Sequence, residues 1–227
     1  MRRLRLRRAA GLAWALGGLA LACARSDERW REDLGDPDPF VRGVAAIASS
    51  LQAPRESRAA LTELLRAVDR EDVGLGEPAA RALAAASPHH VPWLLDQLLE
   101  DELMSAERRA AILRALIAAG PGAVEPVLAC LRGRGSSLAG DLGDVLLALG
   151  DPVLPGLIAM LEDEPDLRLR SFAAFLLASM GPRARSALPA LRVAAASSDP
   201  NLGRMASEAI ASLEGRPWRV PMPDEGR

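Results

Sequence analysis

The sequence predicts an all-α fold built from helix pairs that stack on one another. Three observations carry this expectation. Apolar residues fall at helical spacing, as Leu154, Leu157, Ile158 and Leu161 do along one face of a single helix. Helix-stopping glycines and prolines recur at Ala53-Pro54, Ser87-Pro88, Gly120-Pro121, Gly150 with Pro152, Gly181-Pro182 and Gly215 with Pro217, at intervals of 34, 33, 30, 31 and 34 residues. Particular residue types also sit at fixed offsets from those stops. A repeat near 30 residues with such offsets marks a supersecondary unit that cannot bury its apolar side alone.

Taken in order, residues 1–8 carry five arginines (Arg2, Arg3, Arg5, Arg7, Arg8) and no acid, and residues 9–22 are uncharged and apolar. That charged-then-apolar layout predicts a signal peptide over residues 1–22. The apolar run of 14 residues is short against the roughly 20 that a membrane span needs. It ends Leu19-Ala20-Leu21-Ala22-Cys23, which resembles the lipobox of bacterial lipoproteins. By that resemblance Cys23 is the lipid attachment site and the mature N-terminus. The alternative is a plain signal peptide with an incidental cysteine. Acyl chains contribute about 0.8 kcal/mol per buried CH₂, so a lipidated Cys23 holds the chain on a membrane. Residues 23–35 then form a short polar tether, in which Trp30 either rests at the lipid interface or caps the first repeat.

The repeats run over residues 36–215. Eleven residues before the stops lie Arg42, Gly76, Arg109, Ala139, Arg170 and Arg204. Four residues earlier come Asp38, Asp72, Ser105, Gly135, Asp166 and Pro200, four of which suit a helix N-cap. About eleven residues after the stops a leucine recurs: Leu64, Leu98, Leu131, Leu161 and, one place early, Leu191. Between the two helices at the centre of the chain, Glu162-Asp163-Glu164-Pro165-Asp166 forms a polar break, and the next helix is expected over residues 167–180. Alanine pairs in the first helices (Ala45 and Ala46, Ala79 and Ala80, Ala110 and Ala111, Ala173 and Ala174) predict close helix approach. Residues 216–227 hold three prolines and form a non-helical tail, in which Trp218 and Val220 either fold back over the last helix or stay loose.

These runs, with Asp38-Pro39-Phe40-Val41-Arg42, Asp166-Leu167-Arg168-Leu169-Arg170 and Gly150-Asp151-Pro152-Val153-Leu154-Pro155, resemble the HEAT-repeat family, most closely its PBS-lyase HEAT-like variety. The resemblance implies a right-handed α-solenoid of about five antiparallel helix pairs plus a terminal half-repeat. It further implies that Arg42, Arg109, Arg170 and Arg204 are structural, tying successive repeats to loop acids. It also implies that the second helix of each pair lines a concave surface. Projecting residues there include Arg58, Arg66, Trp93, Gln97, Glu100, Arg132 and Arg192. Of these, Trp93, Gln97, Arg66, Arg132 and Arg192 are the candidate partner contacts, since aromatics and arginines dominate binding energetics. Trp93 as core filler is the competing reading.

No constellation for catalysis stands out. His89 and His90 are adjacent, so a helix would point them apart, and no cysteine or further histidine completes a metal set. Cys130 aligns with Met160 and reads as a buried structural thiol, with no histidine placed to activate it. The acid runs Glu100-Asp101-Glu102 and Glu162-Asp163-Glu164 recur at matching turns, as solvated loops do. Neither a metal nor a cofactor is expected. Without residues 1–22 the chain carries 23 basic and 30 acidic residues (28 less five arginines, against 30), or −7, which argues against nucleic acid. The expectation is an exported, membrane-anchored protein of a bacterial envelope, not an enzyme, that serves as a scaffold for another protein. An enzyme accessory of the lyase kind, or an envelope component with no discrete ligand, is the alternative.

Overall fold

The computed structural model describes residues 32–38, 41–43, 45–46, 58–68, 76–86, 90–100, 103–134 and 138–215. The expected signal peptide, Cys23, Trp30, the stops at Ala53-Pro54 and Ser87-Pro88, the cap positions Asp72 and Gly135, His89, Asp101, Glu102 and the tail 216–227 lie outside the described residues. Among the described residues ten helices have both ends defined: α1 (Arg58–Val68), α2 (Gly76–Ala86), α3 (Val91–Glu100), α4 (Ala106–Ala118), α5 (Val124–Arg134), α6 (Ala139–Leu149), α7 (Leu154–Asp163), α8 (Leu167–Met180), α9 (Leu188–Ala195) and α10 (Pro200–Leu213). Among the described residues there is no strand. The fold is all-α.

Helix ends follow the local chemistry of the sequence. Asp166 caps α8 through its carboxylate, which accepts from Arg168 N at 2.8 Å. Ser105 caps α4 by accepting from Arg108 N at 3.0 Å. For α10 the cap is Asp199, one residue before the expected position, accepting from Leu202 N at 2.7 Å. Pro200 has no N–H to be left unpaired, so it fits the first helical position instead.

The described stops share one backbone solution. Gly120, Gly150, Gly181 and Gly215 have φ of +63°, +73°, +57° and +82°, and they are the positive-φ residues among those described. Only glycine reaches this region without a Cβ penalty. At Gly150 the chain turns by 116° between α6 and α7. One departure from expectation follows each of the three earlier corners. The second helix does not begin at once but after a 3₁₀ turn, over Gly120–Ala123, Asp151–Val153 and Gly181–Ala187. A proline on each side of the junction (Pro121 and Pro126, Pro152 and Pro155, Pro182 and Pro189) supplies the reason, since each lacks the N–H that a continuous α-helix needs there.

The chain divides into two compact units, residues 1–119 and 120–227. In the first, α1 packs on α2, and α4 lies against α1, α2 and α3. In the second, α5 packs on α6 and α7, α7 on α8 and α9, α8 on α6 and α10, and α9 on α10. In the second unit the first helices α6, α8 and α10 therefore touch in succession, as do the second helices α5, α7 and α9, and in the first unit α2 touches α4. The cores are mainly leucine and alanine, with valines, Ile112, Met160 and Met180. The recurrent leucines Leu64, Leu98, Leu131, Leu161 and Leu191 are all at most 2% exposed. Of the alanine pairs, Ala45, Ala46, Ala79, Ala80, Ala111, Ala173 and Ala174 are buried, whereas Ala110 is exposed. Close approach is also visible at Gly156 in α7, where a Cβ would stand 2.3 Å from Leu128 Cδ1 of α5.

Candidate partner-binding surface

The surface is built from what the core leaves over. In α3, Val91, Leu94, Leu95 and Leu98 take the buried face. Trp93, Gln97 and Glu100, at i, i+4 and i+7, then form a neighbouring stripe, with Trp93 and Gln97 half-buried and Glu100 exposed. Half-burial of Trp93 fits both readings of this residue, partner contact and core filler. In α1, Arg58 and Arg66 are exposed.

The arginines proposed as contacts differ in what already holds them. Arg66 pairs with Glu63 one turn back on its own helix. Glu63 is 12% exposed and also accepts from Arg42 Nε at 3.2 Å, so one carboxylate serves two guanidinium groups. In the second unit, Arg132 of α5 meets Glu164, the C-cap of α7, at 3.5 Å. Arg192, in the last turn of α9, is exposed beside Val193, which is 73% exposed. A cation at that end of a helix is favoured by the helix dipole whether or not a partner is present.

The repeat arginines use their shared register in three ways. Arg42 donates to the carbonyls of Asp36 at 2.6 Å and Pro37 at 3.0 Å as well as to Glu63. Arg170 reaches back to the preceding helix, its Nε donating to Leu161 O at 2.7 Å. That carbonyl lies in the last turn of α7, where no intrahelical donor remains for it. Arg204 stays on its own helix, donating to Asn201 Oδ1 at 2.9 Å and Glu208 Oε1 at 3.2 Å. Arg109 lies half-buried in the first turn of α4, its backbone N–H donating to Ser105 O.

Two further contacts join successive pairs, and neither was singled out from the sequence. Arg183 meets Asp151 at 2.8 Å, 32 residues away, just past two successive corners. Arg185 Nε donates at 3.2 Å to Leu213 O, at the C-terminal end of α10. The available signal was an acid one residue after one stop and a cation two residues after the next. Cys130 also departs from expectation. It is half-buried, whereas the aligned Met160 is 1% exposed. Among the described residues no three of His, Cys, Asp or Glu are grouped to hold a metal ion, and no single helix is long and apolar enough to cross a membrane. No protein-family model matches the chain, and no curated protein matches it.

Proposed function

We propose that this chain is a lipid-anchored envelope protein whose helix pairs form a HEAT-like α-solenoid that binds another protein. The observation that carries the reading is the recurrence of one corner. A positive-φ glycine stands at residues 120, 150, 181 and 215, and each corner between Gly120 and Gly215 delivers a pair of helices onto its neighbours. Such a unit extends by addition and presents a row of equivalent helix faces, a design suited to an extended binding surface. The membrane address rests on the run from Arg2 to Cys23. Trp93 is the anchor proposed for the partner, with Gln97 beside it.

Two experiments test the two halves. Phase partitioning of the full chain in a cloud-point detergent is expected to put it in the detergent phase and Cys23→Ala in the aqueous phase. Equal aqueous partitioning of both ends the anchor. Affinity capture from solubilised membranes, comparing wild type with Trp93→Ala, is expected to recover a specific protein that the variant loses about tenfold or more. That loss corresponds to roughly 1.4 kcal/mol or more of binding free energy. Capture that survives both Trp93→Ala and Gln97→Ala removes this stripe from the reading.

A further inference from the structure

We infer that the partner segment seated on α3 is basic, with an arginine or lysine laid on the ring of Trp93 beside the carboxylates of Asp96 and Glu100. This rests on α3 being the docking face and adds the chemistry of what docks there. Once Val91, Leu94, Leu95 and Leu98 have gone into the core, the opposite side of α3 carries Trp93, Asp96, Gln97 and Glu100. Asp96 and Gln97 follow Trp93 by three and four residues, and Glu100 follows Asp96 by four. Those spacings set side chains beside one another on a helix. Asp96 and Glu100 are exposed and residues 91–100 contain no arginine or lysine, so this side of α3 is negative.

The second helix of the preceding pair, α1, answers its charge within the fold. Its acid is Glu63, 12% exposed, whose carboxylate is shared by Arg42 and Arg66. Among the described residues no cation meets Glu100. Carboxylates beside an indole make a setting for a cation. The electron-rich face of the ring attracts a guanidinium or ammonium head, and tryptophan does so best among the aromatic side chains. The carboxylates add charge-assisted hydrogen bonds to the same head. Arginine and lysine also bring an aliphatic stem, which covers apolar ring surface that a bare ion leaves wet. Other occupants fit less well. Phosphate, whether of a lipid headgroup or of a nucleic acid, is repelled by the same two carboxylates. Among the described residues no three metal-ligating side chains are grouped to hold an ion. Without residues 1–22 the chain carries −7 (28 less five basic residues, against 30 acidic), which draws a cationic partner from a distance as well.

The probe is a fluorescein-labelled peptide of alternating arginine and alanine, read by anisotropy against the full chain in detergent, with its citrulline counterpart as the uncharged match. The arginine peptide is expected to bind about tenfold more tightly than the citrulline one, and to weaken as salt rises. Asp96→Asn with Glu100→Gln, both at exposed positions, is expected to remove most of that difference. Trp93→Leu should weaken the arginine peptide about tenfold. The control is Glu162→Gln with Asp163→Asn, exposed acids of α7, which should change nothing. Equal affinity for the two peptides, or an equal loss in the α7 control, overturns the inference. Affinity capture from membranes separates this outcome from the docking reading. A partner lost in Trp93→Ala but held at any salt by the Asp96→Asn, Glu100→Gln chain keeps α3 as the docking face and overturns its basic occupant alone. Capture that survives both Trp93→Ala and Gln97→Ala removes the face, and the basic occupant with it.

Discussion

At the scale of single residues, the sharpest constraints are glycines, and they differ in kind. Gly150 combines φ +73° with ψ −139°, a region closed to side chains, and Arg183 Nη2 stands 2.9 Å from where a Cβ would be. Gly150→Ala is expected to destabilise the chain by about 1–3 kcal/mol in urea unfolding. Gly156→Ala should cost about as much for another reason, since its Cβ would press on the fully buried Leu128. Gly140 is the control: it is exposed inside α6 with nothing within 4 Å of a Cβ, and Gly140→Ala should stabilise by about 0.5–1 kcal/mol. If all three changes behave alike, the corner has no special role. The recurrent leucines make the same point from the core. Leu161→Ala is expected to cost about 2–5 kcal/mol, whereas Leu103, 96% exposed, should tolerate alanine within about 0.5 kcal/mol.

At the scale of the element, the helices are short and bounded by chemistry that the sequence displays. The expected helix over residues 167–180 has those bounds as α8, because Asp166 caps one end and Gly181 closes the other. Asp166→Ala and Asp199→Ala should each lower stability by about 0.5–2 kcal/mol, with the loss recovered largely by serine or asparagine. Circular dichroism during urea unfolding reads both. The ion pair between Arg183 and Asp151 is a weaker bond between elements, with the partners 61% and 65% exposed. A double-mutant cycle is expected to give at most about 1 kcal/mol, falling as salt rises. The 3₁₀ turns after the corners are not legible in the sequence, although their prolines are. The reason is that a proline within a few residues of a stop fits either the first turn of an α-helix or a tighter turn, and periodicity does not choose between them.

At the scale of the whole molecule, the question is whether the pairs are interchangeable units. Deleting residues 151–181 joins Gly150 directly to Pro182, which recreates the Gly181-Pro182 corner one pair earlier. That chain is expected to fold with its remaining helices intact and a lower urea midpoint, as nearest-neighbour stacking requires. Deleting only residues 151–165 would leave a first helix with no partner and should give loss of cooperative unfolding. Circular dichroism and sedimentation of the two deletions distinguish stacking from a core that depends on every element at once. If the shorter deletion is the better folded, the stacking reading fails.

The sequence by itself determined the all-helical class, the positions of the four described corners and which leucines are buried, because backbone sterics and apolar periodicity act over a few residues. It also marked Asp166 and Ser105 as caps. Only the tertiary structure decided what the surface side chains do. Arg66 and Arg132, expected as contacts for a partner, each pair with a carboxylate, Glu63 and Glu164, and Arg170 spends its Nε on a carbonyl nine residues back. Ala110 and Cys130 lie further out than their aligned neighbours suggest. Long side chains choose among partners brought close by folding, and that choice depends on distances between elements that spacing along the chain does not encode.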